Sequence, residues 1–100
     1  MSILPRGLYK QVENALFAAG HFSAAWEGVV SNTYAHFADS PKGELMQLVF
    51  KQGRREGQVC EALLLERSTY FSWKREVVLY AAMLALEGGL ISLAARAAPE

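Results

Sequence analysis

The chain is 100 residues long, 52% of them hydrophobic and 20% charged, with ten basic residues balancing ten acidic ones. That length fits one domain, the apolar content excludes a disordered segment, and zero formal charge excludes nucleic-acid binding by bulk charge alone. A domain this small cannot hide all of its apolar side chains, so the surplus favours self-association and a homo-oligomer is expected.

The charge is unevenly placed. Between residues 51 and 75 stand Lys51, Arg54, Arg55, Arg67, Lys74 and Arg75 against only Glu56, Glu61 and Glu66, and the rest of the chain is net acidic. Cys60 is the only cysteine, which excludes an intrachain disulfide and a secreted disulfide framework. Arg6 and Lys10 interrupt the start, so no secretory leader is expected. The longest apolar run, Val77 to Leu86, is too short to span a bilayer. The expected setting is cytoplasmic, with no membrane partner.

The elements in chain order are all helical, predicting five helices and no sheet. Pro5 precedes an apolar stripe of Leu8, Val12, Ala15, Leu16 and Ala19, which Gly20 can end. Ser23 suits the N-cap of a second helix with Trp26, Val29, Val30, Thr33 and Phe37 on one face. Asp39-Ser40-Pro41 opens a third, buried through Leu45, Leu48 and Val49 and closed by Gly53. After the charged loop Arg54-Arg55-Glu56-Gly57 comes a short helix from Gln58 to about Leu64. A long one follows from about Ser68 to Leu86, with a stripe of Tyr70, Trp73, Val77, Tyr80 and Leu84. Gly88-Gly89 ends it, and Ser92 to Ala98 reads as a loose turn or tail. The expected organisation is a helical pair over 1–40 for oligomerisation or packing, a functional unit over 41–91 and a tail over 92–100, in one compact domain.

Residues Val59 to Trp73, VCEALLLERSTYFSW, carry the functional signal. A helix-turn-helix needs a small residue where its helices cross, apolar residues bracketing the turn and apolar anchors in the second helix. Cys60 fills the first role, Leu63 and Leu65 the second, Tyr70 and Trp73 the third. Trp73 is expected to be buried, so that Trp73→Ala costs roughly 3–5 kcal/mol. Arg67, Ser68, Thr69, Ser72 and Arg75 are then left facing outward, with Phe71 and Lys74 at the margin. Short hydroxyls and arginines on such a helix reach phosphates and base edges in a major groove. Arg67 and Ser72 are the candidates for base edges; Arg54, Arg55 and Lys74 lie nearer the phosphates. Leu64 stands where glycine commonly eases the turn, and Glu66 where a serine or threonine often caps the second helix.

The stretch LLLERSTYFSWKREVVLYAAMLALEGGLI resembles the C-terminal part of phage-encoded transcriptional regulators of the ArpU and RinA type. The resemblance lies in Arg67-Ser68-Thr69-Tyr70, Trp73-Lys74-Arg75 and the closing Gly89-Leu90-Ile91, and the opening LYKQVENALF, Leu8 to Phe17, is similar to their first helix. It covers about the first 20 residues and residues 45–91. It implies a helix-turn-helix like the fourth region of sigma factors, acting on double-stranded DNA.

The remaining motifs are bland. Tyr70, Trp73 and Tyr80 have core spacing, His21 and His36 lack metal-ligand spacing, and Cys60 reads as a small apolar residue. No phosphate-binding glycine loop or catalytic triad is present, so neither cofactor nor enzymatic activity is expected. Two function classes stand: a sequence-specific DNA-binding regulator of phage type, and a protein-interaction module that reuses the fold to dock on RNA polymerase or another regulator.

Overall fold

The computed structural model describes residues 4–19 and 21–92. Helix α1 (Arg6–Phe17) starts at Pro5, whose carbonyl accepts from the Tyr9 N–H at 2.9 Å. It buries Leu8, Val12, Ala15 and Leu16. Ala19, expected on that stripe, lies beyond the helix end with φ +55°, and the stop assigned to Gly20 lies outside the described residues. In α2 (Ala24–Phe37) the Ser23 hydroxyl accepts from the Trp26 N–H at 3.2 Å, and the expected face is buried in full: Trp26, Val29, Val30, Thr33 and Phe37. The one polar member, Thr33, donates to the Val29 carbonyl at 2.8 Å and so brings no unpaired hydroxyl into the core.

Helix α3 (Pro41–Met46) begins with the Ser40 hydroxyl accepting from the Lys42 N–H at 3.0 Å. It runs directly into a π-helical turn, Gln47–Lys51, closed by Gln52 N–H to the Gln47 carbonyl at 3.0 Å. Within this wider turn Val49 and Phe50 face inward, while Leu48, expected in the core, is half-buried. Gly53, at φ +66°, ends the element as its freedom from a Cβ allows. Gly43 has the opposite role: a Cβ there would collide with the Phe37 carbonyl, so its smallness sets how closely α3 approaches α2.

Helix α4 (Glu56–Leu63) is short, and the Gln58 side chain accepts from the Arg55 N–H at 3.1 Å across its first turn. Three residues, Leu64 to Glu66, lead to α5 (Arg67–Glu87), the longest element. At 21 residues it is about 32 Å long, most of the 47 Å long axis of the molecule. Gly88 and Gly89 end it, with the Leu90 N–H returning to the Ala85 carbonyl at 2.8 Å. The described residues thus form five α-helices and no strand, an all-α fold; the expected tail from Leu93 onward lies outside them.

Helix α5 packs against each of the other four, and one apolar cluster runs from Leu4 to Ile91 through all of them. Its buried residues are Tyr70, Val77, Val78, Ala81, Ala82 and Ala85. At 100° per residue this face is turned by about a quarter revolution from the stripe expected on the aromatic residues. Trp73, Tyr80 and Leu84 are half-buried on its flank, which corrects the expectation of a buried Trp73. The reason is the space between helices. From Val77 onward valine and alanine let α1, α2 and α3 approach α5 closely and Tyr80 is left at the rim, whereas the one ring buried on α5, Tyr70, lies near its start. At the rim Tyr80 stacks on His36 at 4.0 Å, and Lys42 Nζ lies 5.9 Å from the centre of the Trp73 ring.

Candidate nucleic-acid interface

The path of the chain from α4 to α5 turns on Leu64. Its backbone is left-handed, φ +56° and ψ +49°, and the Leu65 N–H donates to the Cys60 carbonyl at 2.9 Å. A leucine there bears the strain that glycine avoids, and its side chain is 91% exposed. Leu63 and Leu65 bracket the turn from the half-buried side, Val59 is fully buried, and Cys60 is half-buried beside it. At the N-cap of α5, Glu66 is extended and makes no side-chain cap bond. The first turn of α5 therefore opens with free backbone N–H groups.

The candidate residues divide by where α5 turns them. Ser68, Ser72 and Arg75 are exposed on the side away from the core, and Thr69 is half-buried at its edge. Arg54 and Arg55, in the loop before α4, are exposed; the Arg54 N–H donates to the Leu48 carbonyl at 2.9 Å, tying the loop to the π turn. Arg67, the first residue of α5, is largely exposed, and its Nε donates to Glu56 Oε2 at the first position of α4.

Lys74 is the exception. Expected near the outward margin and assigned to phosphate, it points inward instead. Its ammonium lies 2.7 Å from Glu13 Oε2 and 5.9 Å from the centre of the Phe17 ring, and both side chains of the pair are less than a fifth exposed. The cause is the rotation of the buried face, which places position 74 between Tyr70, Val77, Val78 and Ala81. Phe71 stays partly exposed, with its ring edge-on to Tyr70 at 5.0 Å.

Two basic residues were not singled out by reading α1 for its apolar stripe alone. Arg6 and Lys10, one helical turn apart, line an open cleft of about 600 Å³ with Gly7, Tyr9 and Glu13. Arg75 is close enough for its charge to act on Tyr9. The i, i+4 spacing of Arg6 and Lys10 was the available signal. Burial pushes the Tyr9 and Tyr70 phenols above their ordinary value, with Glu13 adding to the effect on Tyr9 and Glu56 to that on Tyr70. Both rings belong to the contact between α1 and α5 or its border, and serve as packing.

Among the described residues no three His, Cys, Asp or Glu side chains cluster as metal ligands would, and no helix is long and apolar enough to cross a membrane. Comparison with protein families, with curated proteins and with solved structures returns no match.

Proposed function

We propose that the chain is a sequence-specific DNA-binding transcriptional regulator of the phage or prophage kind, acting in the cytoplasm as an oligomer on double-stranded DNA. The observation that carries this reading is the presentation of Ser68, Ser72 and Arg75 on the outer side of a long helix, three residues after a short one. In this reading α4, the turn and α5 form a helix-turn-helix, and the N-terminal half of α5 enters the major groove. Arg54 and Arg55 lie where a loop ahead of such a unit meets the sugar-phosphate backbone. The resemblance of Arg67-Ser68-Thr69-Tyr70 and Trp73-Lys74-Arg75 to the ArpU and RinA regulators supports the phage assignment.

The test is a salt titration of binding to duplex DNA selected from a random pool. Arg54, Arg55 and Arg75 on phosphates would make log K fall against log salt with a slope of about −3 per subunit. Flat salt dependence, or no duplex bound at low salt, overturns the reading.

A second reading has a specific observation behind it. Leu64 projects from the strained turn almost fully exposed, and Phe22, at 59%, and Phe71, at 43%, add apolar surface. Such side chains suit contact with another protein, including RNA polymerase or a second regulator. Association with polymerase that is lost on Leu64→Ser, in the absence of duplex binding, would establish it.

A further inference from the structure

The first residues of α4 and α5 meet at one point. Glu56 opens α4, where the helix N-terminus favours its negative charge, and its side chain is 29% exposed. Arg67 opens α5, and its side chain is 78% exposed. The bond between them uses Nε of the guanidinium. That choice of atom has a geometric consequence. Arginine has five N–H donors in a rigid planar fork: Nε–H and one terminal N–H point to one side, and one N–H from each terminal nitrogen forms a second pair at the far end. A carboxylate held against Nε occupies the first side and leaves the end-on pair pointing away from it.

We infer that Glu56 is a positioning residue that presents the terminal nitrogens of Arg67 as a pre-aimed bidentate reader of guanine in double-stranded DNA. This rests on the DNA-binding reading above and names the base and the pair of residues that would select it. A bidentate donor pair fits the O6 and N7 acceptors of guanine and no other base edge in the major groove equally well. Holding the fork before binding reduces the side-chain ordering that binding otherwise requires. The same pairing sets a limit on Arg67 as a simple phosphate contact. Glu56 already compensates its charge, so releasing counterions is a smaller part of what it can contribute.

The experiment uses the full chain and a duplex selected from a random pool by the unaltered protein, then the same duplex with each base pair changed in turn. Arg67→Ala should lose about 5- to 150-fold of the discrimination at one guanine and little at other positions. Replacing that guanine with 7-deazaguanine, which lacks N7 but keeps O6, should reproduce part of the loss for the unaltered protein and have no effect on Arg67→Ala. Glu56→Ala should also lose the guanine preference while keeping the salt slope, and Glu56→Gln, which retains an acceptor oxygen, should restore most of it. Thermal melts of each variant separate these effects from unfolding.

Uniform weakening by Arg67→Ala across all sequences, with the salt slope reduced by about one unit, overturns the inference, because Arg67 is then a phosphate contact. An undiminished guanine preference in Glu56→Ala overturns it as well. In both cases the salt-dependent binding still stands, so the DNA-binding reading survives. Absence of duplex binding by the unaltered protein overturns both.

Discussion

Lys74 shows how much one residue's meaning depends on helix rotation. In sequence it belongs to a basic step, Trp73-Lys74-Arg75, and in space it is separated from Arg75 by the edge of the core. Its pairing with Glu13 at 2.7 Å, with both side chains largely removed from water, gives it a partner but also a liability. Removing one member leaves the other charge under-solvated. Lys74→Ala or Glu13→Ala is expected to cost about 3 kcal/mol, near the lower end for breaking a buried pair, as read by denaturant unfolding. The double change Lys74→Met with Glu13→Leu should recover most of that, since apolar replacement removes both desolvated charges. A surface lysine would show neither effect. Trp73 is revised in the same way. Because the ring is half-buried at the rim, with Lys42 beside it, Trp73→Ala should lower stability by about 2 kcal/mol and leave the chain folded. Retained helical circular dichroism with a lowered midpoint is the expected result.

At the scale of elements, the turn between α4 and α5 holds a testable cost. Leu64 combines a left-handed backbone with a side chain 91% exposed, so its conformation is strained and no burial offsets the strain. Leu64→Gly relieves about 1–2 kcal/mol of left-handed strain and loses about 0.5–1 kcal/mol to unfolded-chain entropy. The net expectation is a gain of up to about 1.5 kcal/mol, seen as a rise of a few degrees in Tm. A stability loss would show that the leucine packs against something in solution, as the interaction-module reading requires. The π turn after α3 and the contact of Gly43 with the Phe37 carbonyl are the other local devices. Together they set the path by which the loop bearing Arg54 and Arg55 reaches α4.

For the whole molecule, two properties follow from how the helices pack. The first is alkaline sensitivity. Tyr9, Tyr34 and Tyr70 are raised above 10.0, in each case first of all by burial. The folded state therefore holds these phenolic protons more tightly than the unfolded chain. Their contribution to stability is complete below about pH 10 and is lost as pH rises through the folded values. Unfolding free energy measured against pH should be level in this respect on the neutral side and fall in the alkaline range, in step with phenolate absorbance. Replacement of Tyr70 by Phe should make the fall shallower. The second property is association. Phe17, Phe22, Phe71 and Met83 remain 43–59% exposed after the core is formed. A two-fold dimer is the simplest arrangement that covers such surface, and under the proposed DNA-binding function it would space two copies of α5 on DNA. Sedimentation at tens of micromolar, or about that order, should show a species larger than the monomer; a monomer alone would count against self-association.

Apolar periodicity and local chemistry at helix starts by themselves determined that the protein is all-helical, roughly where its helices lie, that Ser23 caps the second and that Asp39-Ser40-Pro41 opens the third. Those signals act within a turn or two of chain, and every residue needed to read them is adjacent in sequence. The face of α2 was legible in full, because that helix packs through large apolar side chains which hydropathy marks plainly. The face of α5 was not. Its contact is made by Val77, Val78, Ala81, Ala82 and Ala85, and the alanines matter for their small size at a helix crossing more than for their hydropathy. Only the tertiary arrangement, with four helices closing on α5, decided that Trp73 belongs at the rim and Lys74 opposite Glu13. The same holds for Glu56 and Arg67, separated by ten residues and a turn: the charges are written in the sequence, but their meeting depends on the angle at which Leu64 sends one helix past the other.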